Sequence, residues 1–383
     1  MAKKVYTGAD NTARKVKKGY IGIGGIIMAV GSSYIGVSDT ARKMKKAYTG
    51  VGSMARPCWS GGEVVYYGAI TPLSVSRQGP AAGRIGVYAL FAGGSDSTKY
   101  YNTVDVYDAE LTRSSPVTLS SSRSGAAAVS DGERILFAGG YPNSSVVDVF
   151  DSDLTRTQAS SLSAARDAIR GAVSGNHFLL AGGRYVSNVD VYSRDLTKEA
   201  NQSLTAVKWV HGGTSVGRYA LFGGGQYSNN SYDTVDAFDD DLVRSSATPL
   251  SLVKWSMFAN RVADYAIFAG GNTSSGRVAQ ADAYDSSLVR VSPDGLQAAG
   301  SSTGDCTATN QERMIIAGGF TGTTRTNQAD SYDKDLVHTA LTPLATGRDG
   351  HGAALVNGGY FLFAGGLDSG DNCLASAEAY RID

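Results

Sequence analysis

Cysteine and histidine are scarce in this chain of 383 residues, and each scarcity argues against a class of chemistry. The three cysteines, Cys58, Cys306 and Cys373, lie far apart, are odd in number and form no Cys-x-x-Cys pair. That pattern speaks against a disulfide framework and a structural zinc site, and for free thiols. The four histidines, His177, His211, His338 and His351, show no metal-ligand spacing, so no metal is expected. Cys306 has no evident His or Asn partner motif, and no Gly-x-Ser-x-Gly elbow occurs. Gly22-x-Gly24-Gly25 lacks the strand–helix context of a phosphate cradle. No cofactor is expected, and the chain does not read as an enzyme. No apolar run reaches the roughly 18–20 residues of a membrane-crossing helix, so membrane insertion is not expected either. With only 8 prolines against 48 glycines, the composition suits short strands joined by tight turns.

A net charge of zero hides two opposite halves. Residues 1–59 hold 11 Lys and Arg against 2 Asp, and the remainder holds 24 against 33. A basic arm on an acidic body points to different partners for the two ends. Within the arm Tyr6, Tyr20, Tyr34 and Tyr48 recur every 14 residues. They frame the blocks Thr12-Ala13-Arg14-Lys15-Val16-Lys17-Lys18 and Thr40-Ala41-Arg42-Lys43-Met44-Lys45-Lys46, with a degenerate copy between. Turn-prone pairs such as Asp10-Asn11 and Ser38-Asp39 separate them, so residues 1–59 read as a chain of short β-hairpins. So small a unit does not bury enough to fold alone, and self-association or docking on a larger assembly is expected. Arg14, Lys15, Lys17, Lys18, Arg42, Lys43, Lys45 and Lys46 are its candidate assembly residues; a nucleic-acid patch and a merely solvated face are the weaker readings. The apolar stretch Ile21 to Val30 has the length of a secretory core, but it falls in register with the 14-residue repeat. A protein made in the cytoplasm without a leader is therefore expected.

From residue 60 onward, seven apolar runs each end in a glycine pair, with the second glycine at 94, 140, 183, 225, 271, 319 and 366. A period of 42 to 48 residues marks a β-propeller with one four-stranded blade per repeat. Each unit reads as a small-residue strand, the Gly-Gly strand, a Val-Asp-x-Tyr/Phe strand, a turn Asp-x-x-Leu and a last strand. The C-terminus stops after a third strand, at Ala379-Tyr380-Arg381. The missing fourth stands at the front, where Tyr67 to Ser74 matches Arg244 to Ser251. The expected fold is all-β: a seven-bladed propeller over 60–383, closed by its N-terminal strand in the last blade and preceded by the hairpin arm.

The apolar-Gly-Gly run followed by Tyr107-Asp108, Tyr284-Asp285 or Tyr332-Asp333 resembles kelch repeats. It departs from them where a Trp usually follows, since here the stretch reads Asp-x-x-Leu. Some kelch-like enzymes hold copper by His and Tyr, a set absent here, as are sialidase-type Asp boxes. Together with the Ala-Arg-Lys-Val-Lys-Lys arm, the chain resembles virion-associated proteins of tailed bacteriophages and prophages. The resemblance implies a virion protein whose arm meets other virion proteins, as a homo-oligomer.

Repeats that agree in one place and differ in another separate frame from function. The turn opened by Asp108, Asp151, Asp239, Asp285 and Asp333 is nearly constant and reads as structural. So does the seven-fold set Asp105, Asp148, Asp190, Asp236, Asp282, Asp330 and Glu378. The segments after each Gly-Gly share neither length nor sequence, and the links between blades vary as well. Strand alternation puts both sets on one face, where a rigid ring displaying divergent loops suits recognition. The candidate ligand-binding residues there are Trp209, His211, Trp255, Phe258, Tyr100, Tyr101, Tyr141, Tyr185, Tyr227, Arg166, Arg348 and His351. Trp209 and Trp255 hold equivalent places, either exposed to stack on a sugar or packed between blades 4 and 5. The expected ligand is a host-surface glycan or protein. A structural head or tail decoration is the alternative, and a glycan-active enzyme the weakest reading.

Overall fold

The period-2 alternation of the Val-Asp-x-Tyr strand decides how the repeats join, because its two faces meet different neighbours. The structure is a computed structural model describing residues 62–383 except 210, 303, 305 and 358, with the backbone of four strands between 34 and 60. Each repeat forms one antiparallel sheet, such as Ala127–Ser130, Arg134–Ala138, Val147–Asp151 and Arg156–Gln158 in blade 2. Seven such sheets stand in a ring, the first strand of each touching the first strands of both neighbours. The protein is a seven-bladed β-propeller. The last sheet combines Gly352–Val356, Tyr360–Ala364 and Ala377–Ile382 with the front strand Val64–Ile70, so the ring closes three strands plus one. Tyr66 Oη donates to Glu378 across that closure at 2.5 Å. No helix among the described residues is long and apolar enough to cross a membrane.

The chain divides into the unit Tyr66–Tyr380 and a second unit made of Met1–Val65 with Arg381–Asp383. In the second, Tyr34–Val37 pairs antiparallel with Thr40–Lys43, and Lys46–Val51 with Met54–Ser60. Arg42 and Lys43 end one of these strands and Lys46 begins another. Arg14, Lys15, Lys17, Lys18 and Lys45 lie outside the described residues.

The seam between blades 1 and 2 shows the joint in full. Val147 and Val149 turn toward blade 3 and pack with Phe178, Leu180 and Tyr192. Asp148 and Phe150 turn the other way, and Phe150 packs with Leu90, Val104 and Val106 of blade 1. The buried Asp148 carboxylate accepts from the Ser120 amide at 3.2 Å and pairs with Arg123 at 2.7 Å. Both partners belong to the link Leu119-Ser120-Ser121-Ser122-Arg123 that leaves blade 1. Arg123 also donates to the Phe137 carbonyl of blade 2 at 3.0 Å, and its own carbonyl accepts from Gly94 of blade 1 at 2.9 Å. Gly93, at φ 67°, lies against that carbonyl; a Cβ there would stand 2.4 Å from it. Only glycine fits.

The joint recurs around the ring. Arg77–Asp105, Arg166–Asp190, Lys208–Asp236, Lys254–Asp282 and Arg348–Glu378 are buried pairs of 2.6 to 3.0 Å. Blade 6 differs: Gly300 stands where the link cation belongs, and His338 Nε2 meets Asp330 at 2.7 Å from the fourth strand. Tyrosines two residues past the acid reach the same way, as Tyr107 Oη does to the Thr71 carbonyl at 2.8 Å. The Asp-x-x-Leu turn is built as expected: Asp108 Oδ1 accepts from the amides of Glu110 and Thr112 at 3.1 and 2.8 Å. Its Leu111 adopts φ 63°, and the matching leucines of five other blades lie between 60° and 67°. These leucines keep that unfavourable backbone because their side chains pack into the seams.

Two outcomes follow for unfolding experiments. Gly93→Ala meets both a left-handed backbone and a clash, whereas Gly125→Ala (φ 60°, nothing within 4 Å) meets only the first. Gly125→Ala should cost about 1–2 kcal/mol and Gly93→Ala clearly more, read as the fall in melting temperature; equal falls would contradict the close approach. Arg123→Met alone leaves the buried Asp148 carboxylate with only the more exposed Arg156 at 3.4 Å and should cost up to about 3–5 kcal/mol. Adding Asp148→Leu should recover a large part of that loss, and a double variant no better than the single would show the pair is not coupled.

Candidate functional site

Each second strand runs out into a variable loop, and each link runs back beside it toward the next first strand. Backbone bridges Ser124↔Tyr141, Trp209↔Gln226, Trp255↔Asn272 and Asp349↔Leu367 tie link to loop, so both lie on one face. Trp209 and Trp255 hold equivalent positions in blades 4 and 5, as their spacing implied.

The twelve candidate residues divide by burial. Arg166, Arg348, His211, His351 and Phe258 are buried and do not form part of the surface. Arg166 and Arg348 are link cations of the seam. His211 and His351 stand three residues past the link cation, where other blades carry Ile169 or Met257. There the side chain packs beneath the preceding blade's first glycine: a Cβ on Gly182 would come within 2.6 Å of His211 Cε1, and one on Gly318 within 2.8 Å of His351 Cε1. Phe258 packs with Leu296 and Ile316 in the seam between blades 5 and 6. Variation at these positions is a variation of packing.

The remaining seven face outward. Tyr100, Tyr141 and Tyr185 are exposed, while Tyr101, Tyr227, Trp209 and Trp255 are half-buried. They cluster by seam. Tyr100 lies 5.6 Å from Tyr141 between blades 1 and 2, and Tyr185 edge-on to Tyr227 at 6.2 Å between blades 3 and 4. The Arg184 guanidinium sits 4.6 Å over the Trp209 ring and is clamped by Asp167 through two hydrogen bonds of 3.1 and 3.2 Å. A cation held over an indole in this way is attracted by the ring's negative face. Tyr185, next along, is 68 % exposed and has φ 72°. A bulky side chain in the left-handed region stores strain, and strain of this kind gathers at functional positions.

Sequence reasoning missed a third group. Phe320 carries the Arg277 guanidinium at 4.7 Å and that of Arg325 at 5.9 Å, joining the loops of blades 5 and 6. The available signal was position, since Phe320 follows its glycine pair as Tyr141 follows its own.

A nucleophile and a base do come together, but in the interior. Cys306 Sγ lies 3.4 Å from His351 Nδ1 and 2.8 Å from Ser302 Oγ, with both Cys306 and His351 fully buried. Burial, then the Arg348 charge, push His351 down to about 3, so it stays neutral. Cys306 is buried and Cys373 half-buried. On the opposite face, Asp239, Asp240 and Asp241 gather their carboxylates at a constant turn, and Arg218 bridges all three.

No family model matches the chain, and no curated protein matches it in sequence. Among solved structures the chain is similar to one described as "Structure of YjhT", with a TM-score of 0.54 and 12 % identity. The match covers 67 % of this chain and 93 % of that one, and it shows the propeller fold alone.

Burial and the Lys208 charge hold His211 well below the ordinary histidine value, as burial does His351. Above about pH 3 the native state therefore takes up little proton on these rings, while the unfolded chain protonates them near 6.5. Stability should fall on acidification from about pH 6.5, by up to about 1.4 kcal/mol per pH unit for each ring, with His351's share levelling off near 3. His211→Met, which installs the residue blade 5 uses, should flatten the melting temperature between pH 7.5 and 5. An unchanged slope would place the acid sensitivity elsewhere.

Proposed function

We propose that the protein is a recognition module of a tailed-phage particle, with the basic arm contacting other virion proteins and the variable propeller face binding a bacterial surface saccharide. The observation that carries the reading is Tyr185. Its exposure and its left-handed backbone both work against stability, and neither is needed by the frame, which closes every seam without it. Around it stand Tyr227, Trp209 and a pre-oriented Arg184–Asp167 pair. Flat aromatic faces beside fixed bidentate polar groups match the apolar faces and hydroxyls of a sugar ring. The glycine-pair and Tyr-Asp pattern supports a kelch-type grouping, and the 14-residue basic repeat supports the virion assignment. Binding rather than catalysis fits the fully buried Cys306–His351 pair, which offers a substrate no approach.

The same aromatic and arginine composition suits a protein contact, so a decoration that touches other virion proteins is the second reading. Adsorption of labelled full-length protein to bacterial cells separates the two. Wild type should bind saturably, and treating the cells to strip surface polysaccharide should abolish binding. Tyr185→Gly should raise the melting temperature, gaining roughly 1 kcal/mol from relief of the backbone, while weakening adsorption at least tenfold. Absence of saturable adsorption by the wild type would favour the decoration, and adsorption that ignores both treatments would overturn the saccharide as ligand.

A further inference from the structure

The loops of blades 6 and 7 stand over an open, mostly polar cleft of about 410 Å³ on the variable face, shallower than the enclosed apolar sites that small molecules usually take. The sequence of one link accounts for the opening. It reads Leu344-Ala345-Thr346-Gly347-Arg348, whereas five others begin Leu-Ser or Leu-Thr. Ala345 keeps the seam contact, its amide donating to Glu378 at 2.6 Å, but lacks the hydroxyl. Gly347 lets the Arg325 backbone close in, since a Cβ there would stand 2.4 Å from the Arg325 carbonyl.

The polar groups around this cleft are held in place by the protein itself. Arg325 Nη2 pairs with Asp371 at 2.7 Å, and Nη1 donates to the Asp368 carbonyl at 2.8 Å. Asn327 Nδ2 donates to the Leu344 carbonyl at 2.9 Å, which fixes its amide and leaves Oδ1 as an acceptor. Asp368 Oδ1 takes the amides of Gly370 and Asn372 at 2.8 and 2.9 Å. Orientation settled before binding removes part of the ordering loss on association. The charge balance then selects the ligand. Arg325 is matched by Asp371, and Asp368 adds a further negative charge, so nothing favours a carboxylate or phosphate. With Thr346 and Ser369 supplying hydroxyls, the lining answers a neutral ligand rich in adjacent donors and acceptors.

We propose that this cleft is a second subsite of the variable face, taking a neutral sugar through vicinal hydroxyls that Asp368 and Asn327 accept from. The proposal rests on the saccharide-binding reading above, but places a sugar apart from the Tyr185 cluster. Full-length protein on an array of neutral and acidic oligosaccharides tests it. Wild type should bind neutral glycans. Thr346→Trp, which fills the cleft, should weaken that binding at least tenfold with an unchanged melting temperature, while Thr346→Ser keeps it. Should Thr346→Trp unfold the protein, Asn327→Leu carries the same expectation. Neutral-glycan binding untouched by the cleft variants yet lost in Tyr185→Gly would overturn the subsite and leave the proposed function standing. Binding confined to acidic glycans would overturn the ligand class. No binding by wild type to any glycan would overturn both readings.

Discussion

A carboxylate buried on the third strand of each blade faces backward across the seam, and the geometry of the ring depends on what it finds there. In six blades it meets a cation from the preceding link, and in blade 6 a histidine of its own fourth strand. Five of the six also draw a second, more exposed cation from the fourth strand, as Asp105 draws Arg113 at 3.0 Å. Removing two charges from water costs several kcal/mol per ion, so such a pair adds little net stability over an apolar one. Its value lies in position. A link shifted by one residue would leave a buried charge unpaired, which makes the register of each seam discrete.

The same link that satisfies the acid also carries the carbonyl that the preceding glycine pair donates to. One short segment therefore fixes three strands of two blades. Loops that begin immediately after the glycine pair inherit a rigid base and vary without disturbing the ring. Divergence on one face and uniformity on the other have a common cause.

Most of the frame was legible in the sequence because it rests on periodicities: the glycine-pair spacing, the alternation of Val-Asp-x-Tyr, and the front strand that completes the last blade. The candidate site was legible in part. Tyr100, Tyr141, Tyr185 and Tyr227 were found because an aromatic in a loop of irregular length has no seam to enter. Arg166, Arg348, His211 and His351 were misplaced onto the surface. Their links differ in sequence, but the cation always falls four residues after a buried leucine, and the third residue beyond it packs under a glycine. Aligning the links on Leu73, Leu119, Leu162, Leu204, Leu250 and Leu344 would have revealed the cation in all six. The Cys306–His351 contact was not legible, since 45 residues separate partners that only ring closure brings together. The cleft at Thr346 and the Arg277–Phe320–Arg325 stack likewise depend on loop paths that no local pattern encodes.

The central claim is that recognition resides in the loops of one face while the seams stay fixed. Hydrogen–deuterium exchange of the full-length protein, with and without polysaccharide from a bacterium it adsorbs to, tests this most directly. The account predicts new protection confined to the variable face, at residues 95–101, 141–145, 184–188, 226–233, 272–280, 320–328 and 367–375 and at the link residues Trp209 and Ala345 to Gly347. Protection gathered instead at the Asp-x-x-Leu turns of the opposite face would contradict it.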